Sequence, residues 1–134
     1  MNTGYTFQKL LKISKKYPNL IAIKEPTKNY TYKTFLDMIS NISGQILLKK
    51  KNSITAIIGE KDILSYVSIF GVLKSGGTYI PISSNMPTKR IIKIISKGKA
   101  NIIICNSGKV EFYKKIFPKK IFLTEKNLSK KKNN

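Results

Sequence analysis

The sequence predicts an α/β fold: a doubly wound, mainly parallel sheet with helices on both faces. Three observations carry that prediction. Apolar runs at 54–58, 78–82 and 101–105 are short and nearly continuous, as strands covered on both faces should be. Segments of helical periodicity alternate with them, which calls for crossover connections between parallel strands. A chain of 134 residues is one domain, able to bury about 68–70% of its unfolded surface.

Taken in order, Phe7, Leu10, Leu11 and Ser14 recur at helical spacing among Lys9, Lys12, Lys15 and Lys16. Residues 5–16 therefore read as an amphipathic helix, stopped by Tyr17-Pro18-Asn19. Its narrow apolar stripe suits packing on its own domain better than lying on a membrane. Residues 20–24 form a short apolar strand and 25–29 a turn, with Glu25 beside Pro26 and solvated. Tyr30-Thr31-Tyr32 adds extended chain. Thr31 then caps a helix running to about Leu48, with Phe35, Met38, Ile39, Ile42 and Ile46 on one face. Gly44 costs that helix about 1 kcal/mol relative to alanine and marks a place for close packing.

Residues 54–58 give a buried strand and 61–74 a helix that is apolar nearly all round, with Asp62 near its start. Lys74 in its last turn complements the macrodipole, and Gly76 or Gly77 closes it in the left-handed conformation. In the strand at 78–82, Pro81 withholds a ladder donor and limits where pairing can occur. Pro87 suits the first turn of a helix over 87–97 with Ile91, Ile94 and Ile95 inward. A strand at 101–105, a weak helix near 110–116 and a last strand at 120–124 complete the pattern. From Lys126 onward, lysine and asparagine leave little to bury and predict a frayed tail.

Composition narrows the chemistry. Net charge is +20, from 26 basic and six acidic residues, but the lysines are spread along the chain and Arg90 is the one arginine. Base readout and bidentate phosphate grip favour arginine, so nucleic acid is a poor partner; lysine, isoleucine and asparagine abundance fits A- and T-rich codon usage. The longest uncharged apolar run, 63–73, has eleven residues, short of the ~20 that span a bilayer. No secretory signal is visible, so the cytoplasm is expected. Cys105 is alone within an apolar run and reads as a buried thiol with no internal disulfide.

There is no histidine, which removes serine–histidine and cysteine–histidine nucleophile systems and histidine metal sites. Asp37, Glu60, Asp62, Glu111 and Glu125 show no spacing of a paired-carboxylate site. Glycine-rich dinucleotide and P-loop patterns are missing; Ser107-Gly108-Lys109 lacks the earlier glycine and reads as a loop.

One string says more. Leu73-Lys74-Ser75-Gly76-Gly77-Thr78-Tyr79-Ile80-Pro81-Ile82 resembles the Leu-Lys-x-Gly-x-x-Tyr-x-Pro signature of adenylate-forming enzymes, most closely the adenylation domains of nonribosomal peptide synthetases. Tyr30-Thr31-Tyr32-Lys33-Thr34-Phe35 is similar to the family's Leu-Thr-Tyr-x-Glu-Leu segment, with Thr34 replacing the glutamate of a capping box. Residues 7–23 resemble the leader of such domains, and Pro87-Thr88-Lys89-Arg90 the Pro-x-x-Arg that opens the following helix. Ser83 departs from the usual aspartate. Acyl-CoA synthetases and D-alanine-activating ligases share enough of this pattern to stay open as alternatives.

The resemblance implies the N-terminal subdomain of the adenylate-forming fold. It also implies a two-step reaction: a carboxylate attacks the α-phosphate of Mg-ATP to give an acyl-adenylate and pyrophosphate, then a thiol, often phosphopantetheine, takes the acyl group. The family's Ser/Thr/Gly-rich phosphate loop belongs after residue 124, where this sequence has 125–134. Residues 1–124 are thus expected to be the N-terminal portion of an AMP-binding (adenylation) domain and 125–134 a disordered basic tail. On that expectation the chain is a truncated or split ligase fragment, inactive alone. No catalytic, cofactor-binding or metal residue carries over, and ATP and Mg are expected only for the complete enzyme. The expected partners are a complementing chain with the rest of the domain and a phosphopantetheine carrier. The alternative is a non-catalytic basic α/β module that binds a partner protein or nucleic acid.

Overall fold

The computed structural model describes residues 3–129. Its elements are α1 (Thr3–Lys16), β1 (Ile21–Lys24), β2 (Asn29–Thr31), α2 (Tyr32–Lys49), β3 (Ile54–Gly59), α3 (Ile63–Lys74), β4 (Thr78–Ser83), α4 (Thr88–Lys97), β5 (Ile102–Ile104), α5 (Ser107–Ile116) and β6 (Ile121–Leu123), then a 3-10 turn at Glu125–Asn127. The fold is α/β, as the apolar pattern predicts.

Four strands form one parallel sheet in the order β4-β3-β5-β6. Successive residues alternate between two cores. Ile57, Ile102, Ile104 and Leu123 face α2 and α3, with Phe7 and Leu10 of α1 packed at the margin. Ala56, Ile58, Ile82, Ile103 and Cys105 face α4 and α5, through Ile91, Ile95 and Tyr113. This is the period of a strand with both faces buried. β1 and β2 do not join the sheet. They make a separate antiparallel hairpin, joined by a turn in which Glu25 N–H donates to the Lys28 carbonyl.

The expected Thr31 cap forms: its Oγ1 accepts from Thr34 N–H at 3.2 Å at the start of α2. Asp62, read from the sequence only as lying near the start of a helix over 61–74, caps α3 from just outside it, its Oδ1 accepting from Ser65 N–H at 2.8 Å. Two glycines trade roles. Gly44 lies exposed with nothing within 4 Å of a Cβ placed there, so it packs against nothing. Gly71 is the close approach: a Cβ there would stand 2.7 Å from Ile42 Cγ2, where α3 crosses α2. The apolar run around Gly71 gives no sign of that neighbour.

Three further expectations are corrected. Ser107-Gly108-Lys109 is the first turn of α5, which starts earlier than 110 because Asn106 accepts from Gly108 N–H at 3.0 Å as its cap. Glu25 is not simply solvated: tertiary folding brings Ile63 N–H to its carboxylate. The tail does not fray at Lys126. Thr124 and Asn127 close a reciprocal capping box, Leu128 is buried against the α2–α3 core, and its carbonyl accepts from Asn41 Nδ2 at 2.9 Å. Leu128 gives the turn something to bury among the lysines. The rest of the expected tail, 130–134, lies outside the described residues.

Both sheet edges are managed. Thr78 N–H and Ser84 N–H bond to the Ser53 and Gly59 carbonyls of the β3 side, so residues of the opposite phase, Tyr79, Pro81 and Ser83, face outward. Pro81 therefore spends its missing donor on the open edge. At the other edge β6 has three residues, and Thr124 N–H beyond it is taken by Asn127 Oδ1.

Candidate functional site

The sheet reverses its winding between β3 and β5. β3 leads through α3 on one face to β4, while β5 leads through α5 on the other face to β6. Connections that part in this way leave a crevice at the carboxyl ends of the two strands, the place where doubly wound folds hold ligands. A cavity of about 290 Å³ occupies it, floored by Ile58, Leu64 and Cys105 and walled by Glu25, Asp62, Lys109 and Glu125.

The starts of α3 and α5 flank this cavity, and each offers free N–H groups and a positive dipole end. In phosphate-binding folds such ends hold the phosphate. Here each holds a carboxylate from a distant part of the chain. Glu25 Oε1 accepts from Ile63 N–H at 2.6 Å, and Glu125 Oε1 accepts from Ser107 N–H at 2.7 Å. Burial pushes the Glu125 carboxyl up, but hydrogen bonds from Ser107, helped by Lys126, outweigh it and hold the group below its ordinary value. Sequence spacing could not pair Glu25 with Ile63 or Glu125 with Ser107, because tertiary folding alone brings them together.

Beside the cavity, Ser83 and Ser84 both donate to Glu60 Oε1, at 2.7 and 3.0 Å. These hydroxyls, Ser83 first, hold the Glu60 carboxyl below its usual range. Ser83 thus presents a donor to Glu60 where a carboxylate would repel it. With Glu25, Asp62 and Glu125, four of the six acidic residues of the chain gather on this edge, while Asp37 and Glu111 lie elsewhere. The opposite edge receives the lysines that end α3, α4 and α5.

Gathering is not ligation. Among the described residues no three His, Cys, Asp or Glu side chains are arranged to hold a metal ion. Cys105 is fully buried, as the apolar run around it predicts. Burial, with the negative charge of Glu125, pushes its thiol up to about 11 against the opposing pull of Lys109, so it is protonated at neutral pH and a poor nucleophile. No helix of the described residues is long and apolar enough to cross a membrane.

The Lys74–Ile82 string sits at the other end of the sheet. Gly76 takes φ 79°, and a Cβ at Gly77 would stand 2.7 Å from the Ser53 carbonyl oxygen. One glycine turns the chain and the other lets the turn lie against β3, whose Ser53 carbonyl takes Thr78 N–H at 3.0 Å. The string is a junction between α3 and β4, away from the crevice. Arg90, on the first turns of α4, is exposed.

Comparison with known proteins agrees with this architecture. The family model described as AMP-binding enzyme matches residues 10–133. A plipastatin synthase polypeptide of Bacillus subtilis is 29% identical over 89 residues, covering 65% of this chain and 4% of that protein. Gramicidin S synthase 1 of Brevibacillus brevis is 33% identical over 92 residues, covering 66% of this chain and 8% of that protein. A nonribosomal peptide synthetase, FmoA3, in its AMPPNP-bound form superposes with a TM-score of 0.79 at 16% identity, over 92% of this chain and 14% of that one, a likeness of fold. The chain thus spans less than a tenth of either of these two curated relatives.

Proposed function

Because the chain belongs to the AMP-binding enzyme family, we propose that it is the N-terminal α/β portion of an adenylate-forming ligase, supplying scaffold to carboxylate activation rather than its chemistry. The observation that carries this reading is the occupancy of the two helix starts at the switch point. A nucleotide triphosphate needs donors and positive potential around its phosphates. The starts of α3 and α5 instead direct their N–H groups at Glu25 and Glu125, and a phosphate set there would meet two carboxylates. Two carboxylates there do not fit the phosphates of ATP, and among the described residues no three His, Cys, Asp or Glu side chains are arranged to hold its magnesium.

On this reading the phosphate loop, the substrate pocket and the thiol acceptor come from elsewhere: the rest of the adenylation domain and a phosphopantetheine carrier. The substrate class is an amino acid or related carboxylate, following the peptide-synthetase relatives. The test is carboxylate-dependent ATP–pyrophosphate exchange by the 134-residue chain. No exchange above background is expected with any proteinogenic amino acid. Exchange that depends on an added carboxylate, and survives repurification of the protein, overturns the proposal.

A further inference from the structure

We propose that the groove between the open edge of β4 and α4 docks an acidic amphipathic helix from a partner polypeptide. This goes beyond the family reading and does not depend on any adenylation activity. The groove holds a cavity of about 780 Å³ floored by Ile80 and Ile94. Lys89, Arg90, Lys93 and Lys97 line it, and all four are exposed. The one ion pair among the described residues, Lys115 with Glu111, lies on another helix.

The charges are ordered. Lys89, Lys93 and Lys97 stand four residues apart on α4, a step of about 6 Å along the axis. Like charges at that spacing repel across successive turns, so the stripe opposes the helix that carries it. Carboxylates at i, i+4 and i+8 of a second helix meet the stripe in register and relieve the repulsion, while an apolar side chain on the same face reaches Ile80 and Ile94.

The fold selects the kind of partner. An added strand would need a continuous row of donors on β4, and Pro81 interrupts the outward-facing row at its centre. A nucleic-acid strand would need aromatic faces for its bases, and no aromatic side chain lines the groove. An apolar floor also has no counterpart on a phosphate backbone. A helix satisfies both the floor and the stripe.

The experiment titrates the isotopically labelled full chain with an ~18-residue amphipathic helical peptide. The peptide carries glutamates at i, i+4 and i+8 beside a leucine face. Amide shifts are expected at Ile80, Arg90, Lys93, Ile94 and Lys97, persisting at about 150 mM salt. A composition-matched peptide with scrambled acids should bind at least about tenfold more weakly. K89E/K93E/K97E should lose at least about tenfold in affinity, whereas K12E/K15E/K16E, the same charge change on the exposed face of α1, should change it less than about threefold. Shift mapping on the unmodified chain carries the test if the α4 variant fails to fold. The proposal is overturned by equal binding of the scrambled peptide, by equal loss in the two triple variants, by shifts centred elsewhere, or by a single-stranded oligonucleotide that displaces the peptide at equal charge.

Discussion

Three glycine-to-alanine substitutions separate the reasons a chain requires glycine, and Gly77→Ala is the decisive one. Its new Cβ stands 2.7 Å from the Ser53 carbonyl oxygen, a backbone atom with no rotamer to change. That oxygen also accepts Thr78 N–H at 3.0 Å, the first rung between β4 and β3. Relieving the clash moves β4 away from β3 at this rung. Overpacking of this kind costs about 1–3 kcal/mol, and a weakened hydrogen bond adds about 1 kcal/mol. Gly77→Ala should therefore destabilise by about 2–4 kcal/mol. A Cβ at Gly76 meets only Asn52 Oδ1, at 3.9 Å, so Gly76→Ala carries the left-handed penalty alone, about 1–2 kcal/mol. Gly44→Ala fills open space in mid-helix and should stabilise by about 0.5–1 kcal/mol. Urea unfolding followed by far-UV circular dichroism measures all three, with unchanged m-values as the control. A loss at Gly77 no greater than at Gly76, or a lower midpoint for Gly44→Ala, would refute the steric reasoning.

Three further outcomes follow from the site and the core. Glu125 sits below its ordinary pKa, so its contribution is present above the unfolded carboxylate value, ~4.3, and is lost as pH falls through the folded value. The stability gap between wild type and Glu125→Gln should accordingly narrow on acidification from neutral to below about pH 4; a gap independent of pH contradicts the cap. Ser83→Asp replaces a donor 2.7 Å from Glu60 with a like charge, so the Glu60 carboxyl should titrate higher, read from its side-chain carbon resonance; an unmoved titration would show that Ser83 does not set it. Thr55 buries a hydroxyl with no hydrogen-bond partner among the described residues. Thr55→Val keeps the shape and should gain about 1 kcal/mol in chemical denaturation, and a loss would mean the hydroxyl is satisfied.

The scaffold is legible in the sequence because its signals are local. Thr31 and Asp62 cap the helices that follow them, and the runs in β3 and β5 carry the continuous apolar pattern of strands buried on both faces. The β1–β2 hairpin is half legible: two extended pieces and a turn, without the pairing that keeps them off the parallel sheet. What escapes is tertiary. Glu25 looks like a turn residue until Ile63 N–H arrives beside it, and Glu125 looks like the head of a solvated tail until α5 begins at Ser107. Helix propensity draws the eye to Gly44, although the decisive fact is that Gly71 is the glycine facing Ile42. The candidate crevice follows from strand order, and strand order depends on which neighbours the chain finds in space.

The two carboxylate latches set a limit on how this segment can be cut. Glu25 precedes every strand of the parallel sheet and Glu125 follows the last of them, yet each seats the start of a helix between them. Leu128 extends that closure by packing on the core and binding Asn41. A recombination breakpoint between 25 and 63 parts Glu25 from the start of α3, one between 107 and 125 parts Glu125 from the start of α5, and any between 41 and 128 parts Asn41 from Leu128. The exchangeable unit is therefore bounded by its latches rather than by its strands, and breakpoints that preserve the fold must fall outside 25–128.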